Sequence, residues 1–187
     1  MGLPLGFGFL GVSYALSGLA HLPATFSVNP LTWFQLLSRP YAFVFLAFTY
    51  YFSKQSSKNT RLIWDITLSV LIVALTSMFV LLCVAPSFAL SNYRILSIYT
   101  RAFDIVCLLY ITIHTLRSHL EAQDSKTILT PFGYMLLGIG QYSLLIWAID
   151  GATFAFYGDL VLRWIALVLF LLIACRTFFG SQKRSPG

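Results

Sequence analysis

The length of the apolar runs is the feature that most constrains what this chain can fold into. Stretches of about 20 apolar residues alternate with short polar segments, and a helix of that length crosses the ~30 Å hydrocarbon core of a bilayer. Only 10% of the residues are charged and the mean hydropathy is +0.82, whereas soluble domains carry about 25% charged residues. The pattern predicts an integral membrane protein and excludes soluble, disordered and disulfide-rich classes.

Six such runs predict an all-α, polytopic membrane helix bundle. The transmembrane helices are expected at about 4–22, 31–53, 62–85, 93–116, 130–149 and 159–179. No polar segment between them is long enough to separate domains. We therefore expect a single transmembrane helical-bundle domain at about 1–180, followed by a short basic cytoplasmic tail at about 181–187.

The basic residues predict the orientation of the bundle. Those on one side of a six-span chain are Lys54, Lys58, Arg61, Arg117, Lys126, Arg176, Lys183 and Arg184. The opposite connections contain Arg94, Asp150 and Asp159. Because Lys and Arg are retained on the cytoplasmic side of short loops, both termini are predicted to be cytoplasmic in a multi-pass protein of the cell membrane. The net charge of +6 then favours contact with anionic lipid headgroups, and we expect no nucleic-acid partner.

Small residues recur on one face of two predicted helices. They are Gly8, Gly11, Ala15 and Gly18 on the first helix, and Gly133 and Gly140 on the fifth. Such faces let a neighbouring helix backbone approach closely. We expect packing inside the bundle, rather than a homodimer contact, to use both of them.

Ionisable side chains within the spans are the candidate site residues, because a charge at membrane depth is costly and is usually functional. Arg39 follows this pattern in the outer half of the second span, and Arg101 and Asp104 do so in the fourth, where their spacing allows them to pair. Arg163 and Asp159 form a second expected pair at the outer end of the sixth span. The predicted ligand-binding residues are therefore Arg39, Arg101, Asp104 and Arg163.

Aromatic residues accompany these arginines in the predicted outer layer. They are Tyr14, Trp33, Tyr41, Tyr93, Tyr99, Trp147, Tyr157 and Trp164. In one interpretation they line an outward-opening polar cavity in which Arg39 and Arg101 bind an anionic or carboxylate group, on a small molecule or a lipid headgroup. In the other, the charges form an internal ion-pair network and the aromatic residues form an interfacial belt.

No metal, cofactor or catalytic constellation is predicted. The segment Ser17 to His21 has the Ser-x-x-x-His form of a superfamily of zinc-dependent membrane hydrolases and receptors, but His21 lies at the opposite depth from His114 and His119. One zinc or haem cannot bind all of them. An intramembrane serine protease is also disfavoured, because Ser17 and His21 occupy one turn of a single helix. The cysteines, Cys83, Cys107 and Cys175, are expected to be small core residues. The chain is expected not to be an enzyme.

The last two spans read PFGYMLLGIGQYSLLIW (131–147) and LRWIALVLFLLIACR (162–176). This hairpin resembles the closing hairpin of the multi-helix membrane sensory domains that precede kinases or cyclases in archaeal and bacterial signalling proteins. The segment 41–53 is similar in character. The resemblance implies a non-enzymatic, ligand-responsive bundle in the lipid bilayer that acts through a protein partner or an oligomer.

Two other functions stay open at this point. The chain is similar in length and helix count to the small-molecule capture subunits of vitamin transporters, for which an outer arginine layer would suit an acidic vitamin. It also has the small size and short loops expected of an accessory subunit of a larger membrane complex.

Overall fold

The computed structural model describes residues 2–20, 28–53, 58–84, 93–122 and 128–182. These ranges are helical except for short turns at Ile128 and at 151–152. The helices are α1 (Gly2–Ala20), α2 (Val28–Ser53), α3 (Lys58–Val84), α4 (Tyr93–Ala122), α5 (Leu129–Asp150) and α6 (Thr153–Gln182). The predicted all-α class is confirmed.

Three stretches of the described chain are long and apolar enough to cross a bilayer: Arg94–Glu121, Leu129–Asp150 and Thr153–Arg176. They correspond to the fourth, fifth and sixth predicted spans. Shorter apolar segments lie at Gly6–Ala15 and Leu62–Ala74. The length and apolar composition of these helices are those of a membrane protein.

Several helices extend into residues that were predicted to be loops. The polar segment 150–158 was expected to be a connection, yet α6 already begins at Thr153. The reason is a tight turn. Gly151 adopts φ 71°, in the left-handed region that glycine reaches without strain, and its N–H donates to Trp147 O at 2.9 Å. The other end of α6 reaches Gln182, so the helix also includes the start of the predicted tail.

The chain divides into two compact units, Met1–Asp104 and Ile105–Gly187. In the first unit α1 packs against α2 through a buried apolar core. The core side chains are Leu10, Leu36, Ala42, Phe43, Phe45 and Leu46. The rings of Phe9 and Phe45 stack with their centroids 5.5 Å apart. A single domain spanning both units stays a prediction.

The face of α1 that packs is not the predicted one. Gly8, Gly11 and Ala15 are exposed, and a Cβ built on either glycine would meet nothing within 4 Å. Gly6 instead faces α2, where a Cβ would lie 2.7 Å from Leu46 Cδ2. The expectation that the small-residue face packs inside the bundle is therefore wrong for α1. The side chain position of Gly18 lies outside the described residues.

Helix α3 contacts α2, where the rings of Phe52 and Trp64 meet edge to face. Its described side chains are exposed or half-buried. Four hydroxyl groups of α3 donate to a carbonyl one turn earlier at 2.8 Å, and this back-bonding satisfies a hydroxyl donor without water. The donors are Thr67, Ser69, Thr76 and Ser77.

In the second unit α5 and α6 pack closely against each other, and two of the three glycines of α5, Gly133 and Gly140, allow it. A Cβ on Gly133 would lie 2.8 Å from Phe170 Cζ, and one on Gly140 would lie 2.9 Å from Asp159 Oδ1. The predicted role of these glycines in internal packing is confirmed. Gly140 also positions the carboxylate of Asp159, which was one of the predicted charges.

Candidate functional site

Among the described residues of the first unit, three charged side chains are buried. Arg39 on α2 and Arg101 on α4 are each 6% exposed, and Asp104 on α4 is 1% exposed. Burial of charges is unfavourable unless they are paired and hydrogen-bonded. These three are also predicted site residues. The structure brings them close enough to interact electrostatically, and we call this group the arginine cluster.

Two side chains of α1 contact the Arg39 guanidinium. Its Nε donates to Ser13 Oγ at 3.3 Å, and its Cζ lies 5.5 Å from the centroid of the Tyr14 ring. The first contact is a hydrogen bond to a buried hydroxyl and the second is a cation–π interaction. Together they fix the guanidinium group of Arg39 against α1.

Arg101 is fixed by its own helix. Its Nε donates to Ser97 Oγ at 2.9 Å, one turn earlier in α4, and Ser97 is itself buried. Each buried arginine in the cluster therefore uses its Nε on a serine. A neutral hydroxyl group therefore contributes to the orientation of each guanidinium plane.

Asp104 on α4 lies within electrostatic range of the guanidinium groups of Arg39 and Arg101. The sequence predicted a pair between Arg101 and Asp104 on one helix face, and this pair stays a prediction. Arg39 on α2 is a second counter-charge for the same carboxylate, which the sequence did not assign to it.

One oxygen of Asp104 lacks a donor. Its Oδ1 is buried and accepts no hydrogen bond from any residue in the described part of the chain. A buried carboxylate oxygen normally accepts at least one, because the cost of leaving it unsatisfied is about 1–3 kcal/mol or more. This oxygen is therefore a place in the arginine cluster where a donor from outside the described residues would be stabilising.

The second unit contains a separate buried ion pair. Arg163 Nη2 donates to Asp159 Oδ2 across one turn of α6, and the two side chains are 12% and 5% exposed. The predicted pair of Arg163 with Asp159 is confirmed. The i, i+4 spacing and the space above Gly140 explain why it forms. Nearby in the α5 sequence, Gln141 is 1% exposed and its Oε1 accepts no hydrogen bond from the described residues.

The aromatic residues of the predicted outer layer differ in their surroundings. In the first unit Tyr14 contacts Arg39, and Tyr99 is 70% exposed on the helix that carries Arg101. In the second unit Trp147 contacts Phe156, and Tyr157 and Trp164 are largely exposed. The choice between a cavity lining and an interfacial belt stays a prediction. The side chains of Trp33 and Tyr93 lie outside the described residues.

No group of three or more His, Cys, Asp or Glu side chains that could hold a metal ion occurs among the described residues. His21 lies outside them, as does the side chain of Cys83. Cys107 is half-buried and Cys175 is exposed. The expectation that the cysteines are core residues is wrong for Cys175, because its side chain is exposed on α6.

Sequence reasoning missed Ser13 and Ser97 as partners of the two arginines. The spacing of Ser97 and Arg101 is a detectable i, i+4 signal on one helix. Ser13 is separated from Arg39 by 26 positions, and only the packing of α1 on α2 brings them together. Gln141 was also missed, although a lone amide inside an apolar run is a signal of the same kind as a lone charge.

Comparison of the chain with protein-family models, with curated proteins and with solved structures gives no match. What the molecule does must therefore be inferred from the chemistry of its buried charges. The arginine cluster is the group of described residues in which that chemistry is most specific.

Proposed function

We propose that the chain is a multi-pass protein of the cell membrane with six transmembrane helices and both termini in the cytoplasm. The lengths of α1 to α6, from 19 to 30 residues, support this, because about 20 residues span the hydrocarbon core. The exposed apolar surface and the back-bonded hydroxyls of α3 support it as well. The distribution of Lys and Arg supports the orientation.

Within that topology, the proposed function is a non-enzymatic, ligand-responsive helix bundle that acts through a protein partner. Its ligand is an anion, a small molecule or a lipid headgroup, which binds at the arginine cluster. The single observation that carries this proposal is the burial of two arginines against one carboxylate.

A charged side chain at membrane depth costs roughly 2.5–3.5 kcal/mol on insertion scales. An anion from solution or from a lipid would lower that cost, and a guanidinium group offers a planar fork that matches a carboxylate or phosphate. The serines that hold both Nε atoms orient the forks before the ligand arrives. Preorganisation of this kind lowers the entropic cost of binding.

Helix α4 offers a route from the cluster to a partner. It is continuous from Tyr93 to Ala122, so Arg101 and Glu121 are separated by about 30 Å of helix at 1.5 Å per residue. Its far end carries the exposed ion pair of Arg117 with Glu121 at 2.9 Å. A displacement of α4 on ligand binding would therefore reach a surface at the opposite end of the span.

The test is ligand-dependent thermal stabilisation of the purified full chain. Carboxylates, phosphates and lipid headgroups are screened in detergent micelles, followed by melting of the single variants Arg39→Gln and Arg101→Gln. A ligand at 100 times its Kd should stabilise the chain by about 2.7 kcal/mol, and each variant should lose that stabilisation. The matched control is Arg94→Gln, because Arg94 is an exposed arginine on the same helix.

A stabilisation that survives both single variants would show that the anion binds elsewhere and would contradict the proposal. The alternatives are an accessory subunit and a small-molecule capture subunit, and they predict different protein partners in the membrane. Native mass spectrometry from gentle detergent separates them, since an accessory subunit retains respiratory or other complex subunits and a capture subunit retains a transport ATPase.

A further inference from the structure

The backbone hydrogen bonding of α2 is interrupted next to Arg39. Pro40 lies in the interior of this helix, and proline has no N–H, so the helical bond from residue 40 to the carbonyl oxygen of Leu36 is missing. The proline ring also crowds that carbonyl group. Sharp bends in helices occur at such positions. The backbone of residues 36–40 is therefore held less firmly than that of an uninterrupted helix.

The part of α2 that follows the proline is fixed on α1 by close apolar packing. The ring of Phe45 stacks on that of Phe9 with the centroids 5.5 Å apart. Leu46 lies against Gly6, where a Cβ would be 2.7 Å from Leu46 Cδ2, and Phe43 is completely buried. Movement of this part of α2 relative to α1 would break many of these packing contacts at once.

Next to the proline, the contact between α2 and α1 is polar. Arg39 Nε donates to Ser13 Oγ at 3.3 Å, and Arg39 Cζ lies 5.5 Å from the centroid of the Tyr14 ring. A hydrogen bond and a cation–π contact are discrete, so they break without rearrangement of the apolar core. We infer that Arg39 and Pro40 form a latched hinge. Pro40 allows α2 to bend, and the contacts of Arg39 with α1 hold the helix in the alignment that the structure shows.

The latched hinge links α1 to the arginine cluster. Arg39 is held by α1 and lies within electrostatic range of Asp104 on α4. A bend of α2 at residue 40 would therefore change the position of a guanidinium group beside Asp104. This inference goes beyond the proposed function, because it concerns a motion of α2 that occurs with or without a bound anion.

The test is amide hydrogen exchange of the full chain in lipid nanodiscs, measured by mass spectrometry with fragmentation that separates residues 36–41 from 43–50. Loss of a hydrogen bond to a charged group shifts an opening equilibrium by about tenfold. Ser13→Ala should therefore raise the exchange rate of residues 36–41 about tenfold and leave residues 43–50 unchanged. Tyr14→Leu, which removes the ring, should act in the same direction. Tyr14→Phe is the matched control, because it keeps a ring for the cation–π contact and should leave the rate unchanged.

A second arm of the experiment tests the proline. Pro40→Ala restores the N–H that donates to the Leu36 carbonyl, so exchange of residues 36–41 should slow by about tenfold or more. When Ser13→Ala is added to this variant, the exchange rate should no longer rise. If Pro40→Ala does not fold, the Ser13 and Tyr14 variants still decide the inference.

Each outcome supports or overturns the latched hinge. Faster exchange that is confined to residues 36–41, and that Pro40→Ala abolishes, supports it. Unchanged exchange in both Ser13→Ala and Tyr14→Leu overturns it. A rise that extends equally over residues 43–50 also overturns it, because the substitutions would then loosen α1 from α2 as a whole. An equal effect of Ser13→Ala with and without the proline would show that the motion does not depend on Pro40 and would overturn the hinge.

Discussion

Replacement of Gly140 by alanine is the most informative single perturbation of the second unit. A Cβ at this position would lie 2.9 Å from Asp159 Oδ1 and 3.8 Å from Asp159 O. The first distance is shorter than a carbon and an oxygen tolerate. The side chain that must move is short, is 5% exposed and is bonded to Arg163. Relief of the contact therefore requires either separation of α5 from α6 or displacement of the carboxylate from Arg163.

The magnitude follows from the second route. Breaking a buried ion pair so that one charge is left uncompensated costs about 3–5 kcal/mol. Replacement of glycine by alanine within a helix stabilises that helix by about 1 kcal/mol. Gly140→Ala is therefore expected to destabilise the chain by about 2–4 kcal/mol, the difference between the two effects.

Unfolding by SDS in mixed micelles, followed by tryptophan fluorescence, measures the difference. Gly11→Ala is the matched control, because a Cβ there meets nothing within 4 Å, and it should be neutral or slightly stabilising. A second control removes both charges with Asp159→Ala and Arg163→Met. In that background Gly140→Ala should stabilise the chain by about 1 kcal/mol, so the coupling energy between the sites should be about 3–5 kcal/mol, the full cost of breaking the ion pair.

A Gly140→Ala chain as stable as the unmodified one would refute this reasoning. So would a loss of stability that persists in the charge-free background, since the clash would then involve something other than the Asp159 carboxylate.

Two further predictions use the same structure. Gly6→Ala should destabilise the packing of α1 on α2 by about 1–3 kcal/mol, because its Cβ would lie 2.7 Å from Leu46 Cδ2. Gly8→Ala should leave the stability unchanged, and equal effects of the two substitutions in SDS unfolding would contradict the assignment of the packed face. Single cysteines at Ala152 and Glu121, in a chain lacking its native cysteines, should react with impermeant thiol reagents from the external and cytoplasmic sides respectively, and reaction of both from one side would contradict the six-span topology.

The sequence could predict the helices because their existence depends on one local property. Any apolar run of about 20 residues must satisfy its backbone internally in lipid, and a helix does so. Helix ends are harder to predict, because each depends on the backbone conformation of one or two residues. The polar segment after Asp150 resembles a loop, and only the left-handed conformation of Gly151 shortens it to a turn of two residues before α6.

The site could be predicted in part for the same reason. Charges inside apolar runs are conspicuous, so Arg39, Arg101 and Asp104 could be identified without a structure. Their partners could not, because Ser13 reaches Arg39 only through the packing of two helices. The choice of packed face on α1 is likewise a tertiary property, since glycines on opposite faces of a helix look alike in sequence.

The central claim is that Arg101 and Arg39 bind an anion rather than only neutralise Asp104. The most direct measurement removes both charges on α4 together, with Arg101→Met and Asp104→Leu, and measures ligand-dependent melting of the folded chain. Replacement of a buried charge pair by apolar groups of similar volume is often neutral or stabilising. Arg39 loses one counter-charge in this variant but keeps its contacts with Ser13 and Tyr14, so the protein should fold. The account predicts that this variant melts near the unmodified chain without ligand and has lost the anion-dependent increase in Tm. Retention of that increase in the charge-free variant would contradict the claim.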